Sequence, residues 1–229
     1  MNTFDGFPRD TIEFLHELSE NNTRDWFAAN KQRYEQSVLD PALGFISSLA
    51  NPLARAAPML DVKAKKVGGS LMRIYKDTRF SKDKTPYKTN IGIQFRHTAG
   101  KDVHAPGLYV HIEPSECFFG AGMWRPDATA LAKIRQAIAE EPASWKKAVG
   151  SKCFRETFSM YDDRLKTAPR GIAKDHPQID DLRLKSFIAM KSLPRKQIED
   201  ASLTQEIVRL ARAAAPLMGF LCQAVEQPY

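Results

Sequence analysis

The chain has 229 residues, of which 43% are hydrophobic and 27% are charged. These fractions are ordinary for a globular protein, and they exclude a disordered chain and a fibrous repeat. No internal repeat or linker interrupts residues 1–229, so we expect a single α+β domain over that range. The formal net charge of +7 favours anionic partners in general, such as phosphates, nucleic acid or an acidic protein surface.

No targeting or membrane segment is predicted. The first ten residues, MNTFDGFPRD, lack the basic stretch and apolar run of a signal peptide. The apolar stretch at residues 213–225 is too short to span a bilayer. We therefore expect a cytoplasmic protein without a membrane partner.

Cysteine usage points to no disulfide and no zinc site. Cys117, Cys153 and Cys222 are far apart and form no Cys-x-x-Cys pair. Buried free thiols are the simpler interpretation, and we expect neither a metal nor a cofactor.

Helical periodicity dominates the first quarter of the chain. One helix is predicted after Pro8, and Thr23 is the expected N-cap of a second. Asp40, followed by a proline, is expected to open a third. The apolar residues that set this period are Ile12, Leu15, Leu18, Trp26, Phe27, Tyr34, Val38, Leu43, Ile46, Leu49 and Leu53.

Alternation of apolar and polar residues predicts strands in the middle of the chain. The apolar members are Met72 and Ile74, then Ile91, Ile93 and Phe95, then Leu108, Val110 and Ile112, then Cys117 and Phe119. Short connections favour a mostly antiparallel central sheet of about four or more strands. Helices from the N-terminal and C-terminal regions should flank it.

The second half returns to helices. Asp127 is expected to cap one helix, and Pro142 to begin a shorter one. Residues 161–181 are rich in proline, glycine and charge and are predicted to be mostly irregular, followed by a strand at residues 184–190. A C-terminal helix should start near Leu203 and bend or restart at Pro216.

The basic segment, residues 73–90, stands out by its charge. Its six cations are Arg73, Lys76, Arg79, Lys82, Lys84 and Lys88, against only two acids, Asp77 and Asp83. Two acids cannot neutralise six cations, so the remaining ones must face water or meet an anion. Residues 78–89 also form a connection that is long for a hairpin, and long connections are disproportionately binding loops.

The same alternation predicts a polar face on the sheet. If Met72 and Ile74 point inward, Arg73 and Tyr75 point outward with Asp77. The neighbouring strands place Asn90, Gln94, Arg96, Tyr109, His111 and Glu113 on that outer face. An exposed sheet face usually carries solvated lysine, glutamate and threonine, and arginine, tyrosine and histidine are less typical of it.

Long stretches of the chain resemble a known family. The run RIYKDTRFSKDKTPYKT has NNTRDWFAANKQRYE upstream, with LYVHIEP and GAGMWRPD downstream. Together they resemble the bacterial and fungal family called domain of unknown function 2461, from about Phe7 to the region around Phe187. The resemblance implies a compact α+β domain and carries no established activity.

Known catalytic patterns are mostly missing. His111 and Glu113 lie on one strand face, but the two cysteines of a zinc deaminase do not follow them. A metal-dependent phosphoesterase needs convergent carboxylates, and the nearby candidates are Asp77, Asp83 and Glu113. The glycines at 120 and 122 are interpreted as a turn that ends a strand.

The first hypothesis is a site for a phosphorylated or other anionic small molecule. The alternatives are a structural ion-pair lattice without a ligand, a nucleic-acid-binding protein, and a phosphoester hydrolase; whether the protein is an enzyme stays open. The predicted site residues are Arg73, Tyr75, Asp77, Arg79, Lys84, Tyr87, Lys88, His111 and Glu113.

Overall fold

A computed structural model describes residues 4–99 and 105–229. The helices are α1 Arg9–Glu20, α2 Arg24–Ala29, α3 Lys31–Tyr34, α4 Asp40–Ala56, α5 Ala128–Glu140, α6 Pro142–Val149, α7 Lys152–Thr157, α8 Ile179–Leu182, α9 Arg195–Ile198 and α10 Leu203–Ala224. The strands are β1 Leu60–Asp61, β2 Ile91–His97, β3 Gly107–Ile112, β4 Cys117–Met123, β5 Ser159–Met160 and β6 Phe187–Ser192.

The six strands form one sheet in the order β1-β2-β3-β4-β6-β5, and every neighbouring pair is antiparallel. Because side chains alternate across a strand, one face of the sheet is apolar and buried. Its central strands contribute Ile91, Ile93, Phe95, Leu108, Val110, Ile112, Phe119 and Ala121 to the core. The predicted α+β architecture and the antiparallel sheet are therefore confirmed.

The first helices end and begin near the predicted signals, with one difference. Thr23 caps α2 by accepting a hydrogen bond from the Trp26 amide. Asp40 does not open a separate helix, because a π-helical turn at Glu35–Leu39 runs directly into α4. The buried Thr11 hydroxyl donates to the Ser37 carbonyl at 2.5 Å inside this turn, which fixes it against α1.

Two of the strand predictions are wrong. Met72 is 40% exposed and lies in no strand, since residues 70–76 join the sheet through an isolated bridge between Leu71 and Ile93. Gly120 and Gly122 lie inside β4 rather than in a turn after it. Gly122 has a φ of +130°, and a Cβ there would meet the Phe187 carbonyl oxygen of β6 at 1.9 Å. Position 122 must therefore be glycine, because the backbones of β4 and β6 approach each other closely there.

The C-terminal helix α10 lies at the centre of the packing. It contacts β4, α4 and α6, and it continues through Pro216 without a restart. By length and apolar composition it is long enough to cross a membrane, but 56% of its apolar window is buried inside the fold. That burial is typical of the core helix of a soluble protein.

Candidate ligand-binding site

The outer face of the sheet carries polar and aromatic side chains around a glycine. Gly92 on β2 lies opposite His111 on β3. A Cβ at Gly92 would meet the Tyr109 hydroxyl at 2.8 Å and the Met72 sulfur at 2.9 Å. Tyr109 and Met72 therefore lie over the glycine, where any larger residue would displace them.

The basic segment folds as a hairpin beside this face. The Lys76 amide donates to the Pro86 carbonyl, and the Lys88 amide donates to the Ile74 carbonyl. An isolated bridge joins Tyr75 to Tyr87 between these two hydrogen bonds. Residues 77–85 form the tip, which is a shorter connection than the predicted one at residues 78–89.

Both acids of the segment are engaged within the tip. Asp77 pairs with Arg79 at 2.7 Å, and Asp83 pairs with Lys76 at 2.8 Å. Hydrogen bonds from Arg79 hold the pKa of Asp77 below its ordinary value, and Lys76 does the same for Asp83. The Lys84 ammonium donates to the Thr78 carbonyl. These pairs are exposed and contribute little to stability.

Arg73 and Lys88 are neighbouring cations of the basic hairpin. The Lys88 ammonium donates to the Arg73 carbonyl at 3.0 Å. Partial burial and then the positive charge of Arg73 lower the pKa of Lys88. Arg73 lies near enough to Asp77 to lower the pKa of that carboxyl slightly further, after the dominant effect of Arg79. Within residues 4–99 and 105–229, neither Arg73 nor Lys88 forms an ion pair.

Tyr87 differs from the other predicted site residues because its ring faces the core. It is 5% exposed, and its ring stacks on Phe27 with the centroids 4.1 Å apart. Tyr75 is 55% exposed and lies over the outer side of that ring, at 5.4 Å. Tyr87 thus supports the hairpin, and Tyr75 is the tyrosine that faces solvent.

His111 and Glu113 form a second group, at the end of β3. Their side chains approach to 3.2 Å between Nε2 and Oε2. The other ring nitrogen, Nδ1, lies 3.1 Å from the Tyr109 hydroxyl and 3.4 Å from the Asn90 amide. The imidazole also stacks on Phe118, with centroids 4.8 Å apart.

The predicted convergence of all these side chains is only partial. Among the described residues, no hydrogen bond or ion pair joins Arg73 or Arg79 to His111 or Glu113. Asn90, two positions after Lys88, is the nearest link between the basic hairpin and His111. The predicted site residues therefore fall into two groups. Arg73 and Lys88 lie on the basic hairpin, and His111 and Glu113 lie at the end of β3.

Sequence reasoning missed Asn22 and Glu116. Asn22 binds the backbone of Tyr87, and Glu116 lies beside Glu113 and His111. For Glu116 a signal was available, since Glu113 and Glu116 bracket a Pro-Ser pair between two alternating strands. Nothing in the local sequence links Asn22 to Tyr87, 65 positions away.

Arg33 lies away from the sheet face. Its guanidinium binds Asp10 and Glu17 of α1, so it ties α3 to that helix.

Two clefts open elsewhere on the surface. One of about 530 Å³ is lined by Arg9, Glu13, Arg195, Lys196 and Glu199. Another of about 400 Å³ lies between α5 and the irregular region, and it includes Arg135, Glu140 and Arg170. Neither of these two clefts is lined by a predicted site residue.

The comparisons with known proteins agree with the resemblance seen in the sequence. The family model described as "Conserved hypothetical protein (DUF2461)" matches residues 10–220. Comparison with the curated proteins and with the solved structures gave no match. Since the family model covers most of the chain, including the basic hairpin and the histidine group, the protein belongs to the DUF2461 family.

Proposed function

We propose that the protein binds a phosphorylated or otherwise anionic small molecule at Arg73 and Lys88. The observation that carries the proposal is the placement of two neighbouring cations that form no ion pair in the described part of the chain. Bringing two like charges together costs free energy, and partial burial of one of them adds to that cost. An anion held between them would offset both effects.

The chemistry of the two side chains favours a phosphoryl group. A guanidinium presents a planar fork that can donate two parallel hydrogen bonds to phosphate oxygens, and an ammonium contributes a compact point charge. The Lys88 ammonium already uses one of its donors on the Arg73 carbonyl, which holds it beside the arginine. The two cations can therefore contact one anion from adjacent directions.

Three other cations of the hairpin differ from Arg73 and Lys88 in their surroundings. Arg79 and Lys76 are neutralised by Asp77 and Asp83 within the tip. Lys82 is exposed and forms no ion pair with a described residue. Lys82 therefore serves as a matched control, because its removal changes the net charge by the same amount without touching the Arg73–Lys88 pair.

Calorimetric titration with pyrophosphate tests the proposal. We expect Arg73→Ala and Lys88→Met to weaken binding by about tenfold or more each, since a hydrogen bond to a charged group contributes roughly 1.5–3 kcal/mol. Lys82→Ala should bind as the unaltered protein does. Absence of binding would reject the site. Equal weakening in all three variants would also reject it, because the effect would then come from the general positive charge.

A second candidate is single-stranded nucleic acid, and exposed aromatic rings favour it. Tyr75 is 55% exposed and Phe80 is 95% exposed, the latter beside the Arg79 guanidinium. Bases stack on such rings while neighbouring cations contact the phosphates. Fluorescence anisotropy with a labelled oligonucleotide should then show binding that falls steeply with salt and is weakened by Phe80→Ala. No binding at low salt would dismiss this candidate.

A further inference from the structure

Three potential metal ligands meet at the turn between β3 and β4. His111 is the outward residue before the end of β3, and Glu113 follows it two positions later. Phe118 of β4 pairs with His111 across the hairpin, so Glu116, two positions before Phe118, points to the same outer face. A hydrogen bond from the Glu113 amide to the Glu116 carbonyl closes the turn. The alternation of side chains along β3 and β4 thus places the His111 imidazole and the carboxylates of Glu113 and Glu116 on the same face.

The imidazole is oriented by groups outside this cluster. Its Nδ1 lies within hydrogen-bonding distance of the Tyr109 hydroxyl, and the ring stacks on Phe118. Its side chain is 14% exposed, which leaves it few alternative orientations. A hydroxyl can accept the Nδ1 proton, as the partner on the second nitrogen of a metal-binding histidine does, and the tautomer protonated at Nδ1 leaves Nε2 free for a metal ion. Nε2 is directed at Glu113.

The donor atoms are close enough to share one ion. A donor nitrogen or oxygen of His111, Glu113 and Glu116 lies within 4.8 Å of each of the others. Two ligands each about 2.1 Å from an ion lie at most about 4.2 Å apart, so only a small side-chain rotation is needed. Glu116 is exposed and has room for it, while His111 Nε2 and Glu113 Oε2 are already 3.2 Å apart.

We propose that His111, Glu113 and Glu116 bind a divalent transition-metal ion, with Zn²⁺ and Mn²⁺ as the candidates. An imidazole nitrogen among the ligands favours such ions over Mg²⁺ and Ca²⁺, which prefer oxygen alone. The nearby Cys117 is no ligand, because it lies on the core face of β4 and its thiol donates to the Glu113 carbonyl. Three protein ligands would leave coordination positions open to water or another molecule.

Equilibrium binding to the full chain tests the site, with Zn²⁺ followed by calorimetry and Mn²⁺ by electron paramagnetic resonance. A Cys153→Ser background removes the one exposed thiol among the described residues. We expect one ion per chain, and an affinity about tenfold or more weaker in Glu113→Gln and in Glu116→Gln. Tyr109→Phe should weaken binding as well, since Nδ1 then loses the nearer of its two neighbouring polar groups.

The chain offers a matched control in a second histidine–glutamate pair. His16 and Glu20 lie 3.8 Å apart on the surface of α1, and no third ligand joins them in the described chain. Glu20→Gln should leave the metal affinity unchanged. Circular dichroism confirms that each variant is folded. No stoichiometric binding, or binding that Glu113→Gln and Glu116→Gln leave intact, overturns the proposal.

Discussion

The side-chain amide of Asn22 binds both backbone groups of Tyr87. Its Nδ2 donates to the Tyr87 carbonyl at 3.0 Å, and its Oδ1 accepts the Tyr87 amide at 3.1 Å. The asparagine thus replaces a neighbouring strand at this position and holds one arm of the basic hairpin against the loop between α1 and α2. Because Lys88 follows Tyr87 in the chain, the same contact fixes the backbone position from which the Lys88 side chain extends to Arg73.

Replacing Asn22 by alanine should loosen the hairpin. Two net hydrogen bonds contribute about 0.5–1.5 kcal/mol each, so we expect Asn22→Ala to lower the free energy of unfolding by about 1–3 kcal/mol in urea denaturation. The control is Asn21→Ala, which loses one exposed hydrogen bond to the Glu17 carbonyl and should cost less. An Asn22→Ala protein as stable as the unaltered one would show that Asn22 does not hold the hairpin.

Gly122→Ala should be among the most destabilising single changes in the sheet. A methyl group there would overlap the Phe187 carbonyl oxygen, and alanine rarely adopts the φ of +130°. We expect a loss of about 3 kcal/mol or more in thermal or urea unfolding.

Gly44 on α4 is the matched control for this substitution. A Cβ at Gly44 meets nothing within 4 Å, so Gly44→Ala should stabilise the helix by about 0.5–1 kcal/mol. Equal effects of the two substitutions would contradict the close approach of β4 and β6.

The Arg33 interactions should make stability depend on pH in the acid range. Hydrogen bonds from Arg33 hold the pKa of Asp10 below its ordinary value, and they lower the pKa of Glu17 too. A carboxyl whose pKa is lowered by folding stabilises the protein above its unfolded pKa, near 4, and this contribution is lost as pH falls through the folded pKa. Arg33→Met removes the guanidinium that lies over the Phe14 ring and leaves an unbranched apolar side chain in its place.

The expected result is a variant less stable than the unaltered protein at neutral pH, with the difference shrinking below about pH 4. Urea denaturation at pH 7 and near pH 3 measures it. A difference of the same size at both pH values would mean that the contribution of Arg33 is not electrostatic.

Much of the fold could be predicted because local patterns and packing agree. The alternation through β2 and β3 is uninterrupted, and the apolar residues are the ones that face the core. The N-caps at Thr23 and Asp127 both accept the expected backbone hydrogen bonds. Where one face of an element is buried and its ends carry capping residues, sequence alone defines the element.

The predictions from the sequence failed where a residue distant in the chain determines the local structure. Gly122 resembles a turn glycine in sequence, but it is needed because the backbone of β6 passes against it. Met72 has the spacing of a core residue, yet it lies over Gly92 on the outer face, because the bridge between Leu71 and Ile93 places Leu71 against the core instead. The partners of Arg33 and Asn22 likewise depend on helix packing that no local pattern encodes.

The pKa of Lys88 offers the most direct test of the proposed anion site. Partial burial, and then the charge of Arg73, hold that pKa below its ordinary value of 10.5 in the free protein. An anion bound at the pair favours the protonated ammonium, so the pKa should rise. Nuclear magnetic resonance titration of lysine side chains, with Lys88→Met to assign the signal, follows it with and without saturating pyrophosphate. We predict a rise in the pKa of Lys88; a pKa of Lys88 unmoved by pyrophosphate would contradict binding at this site.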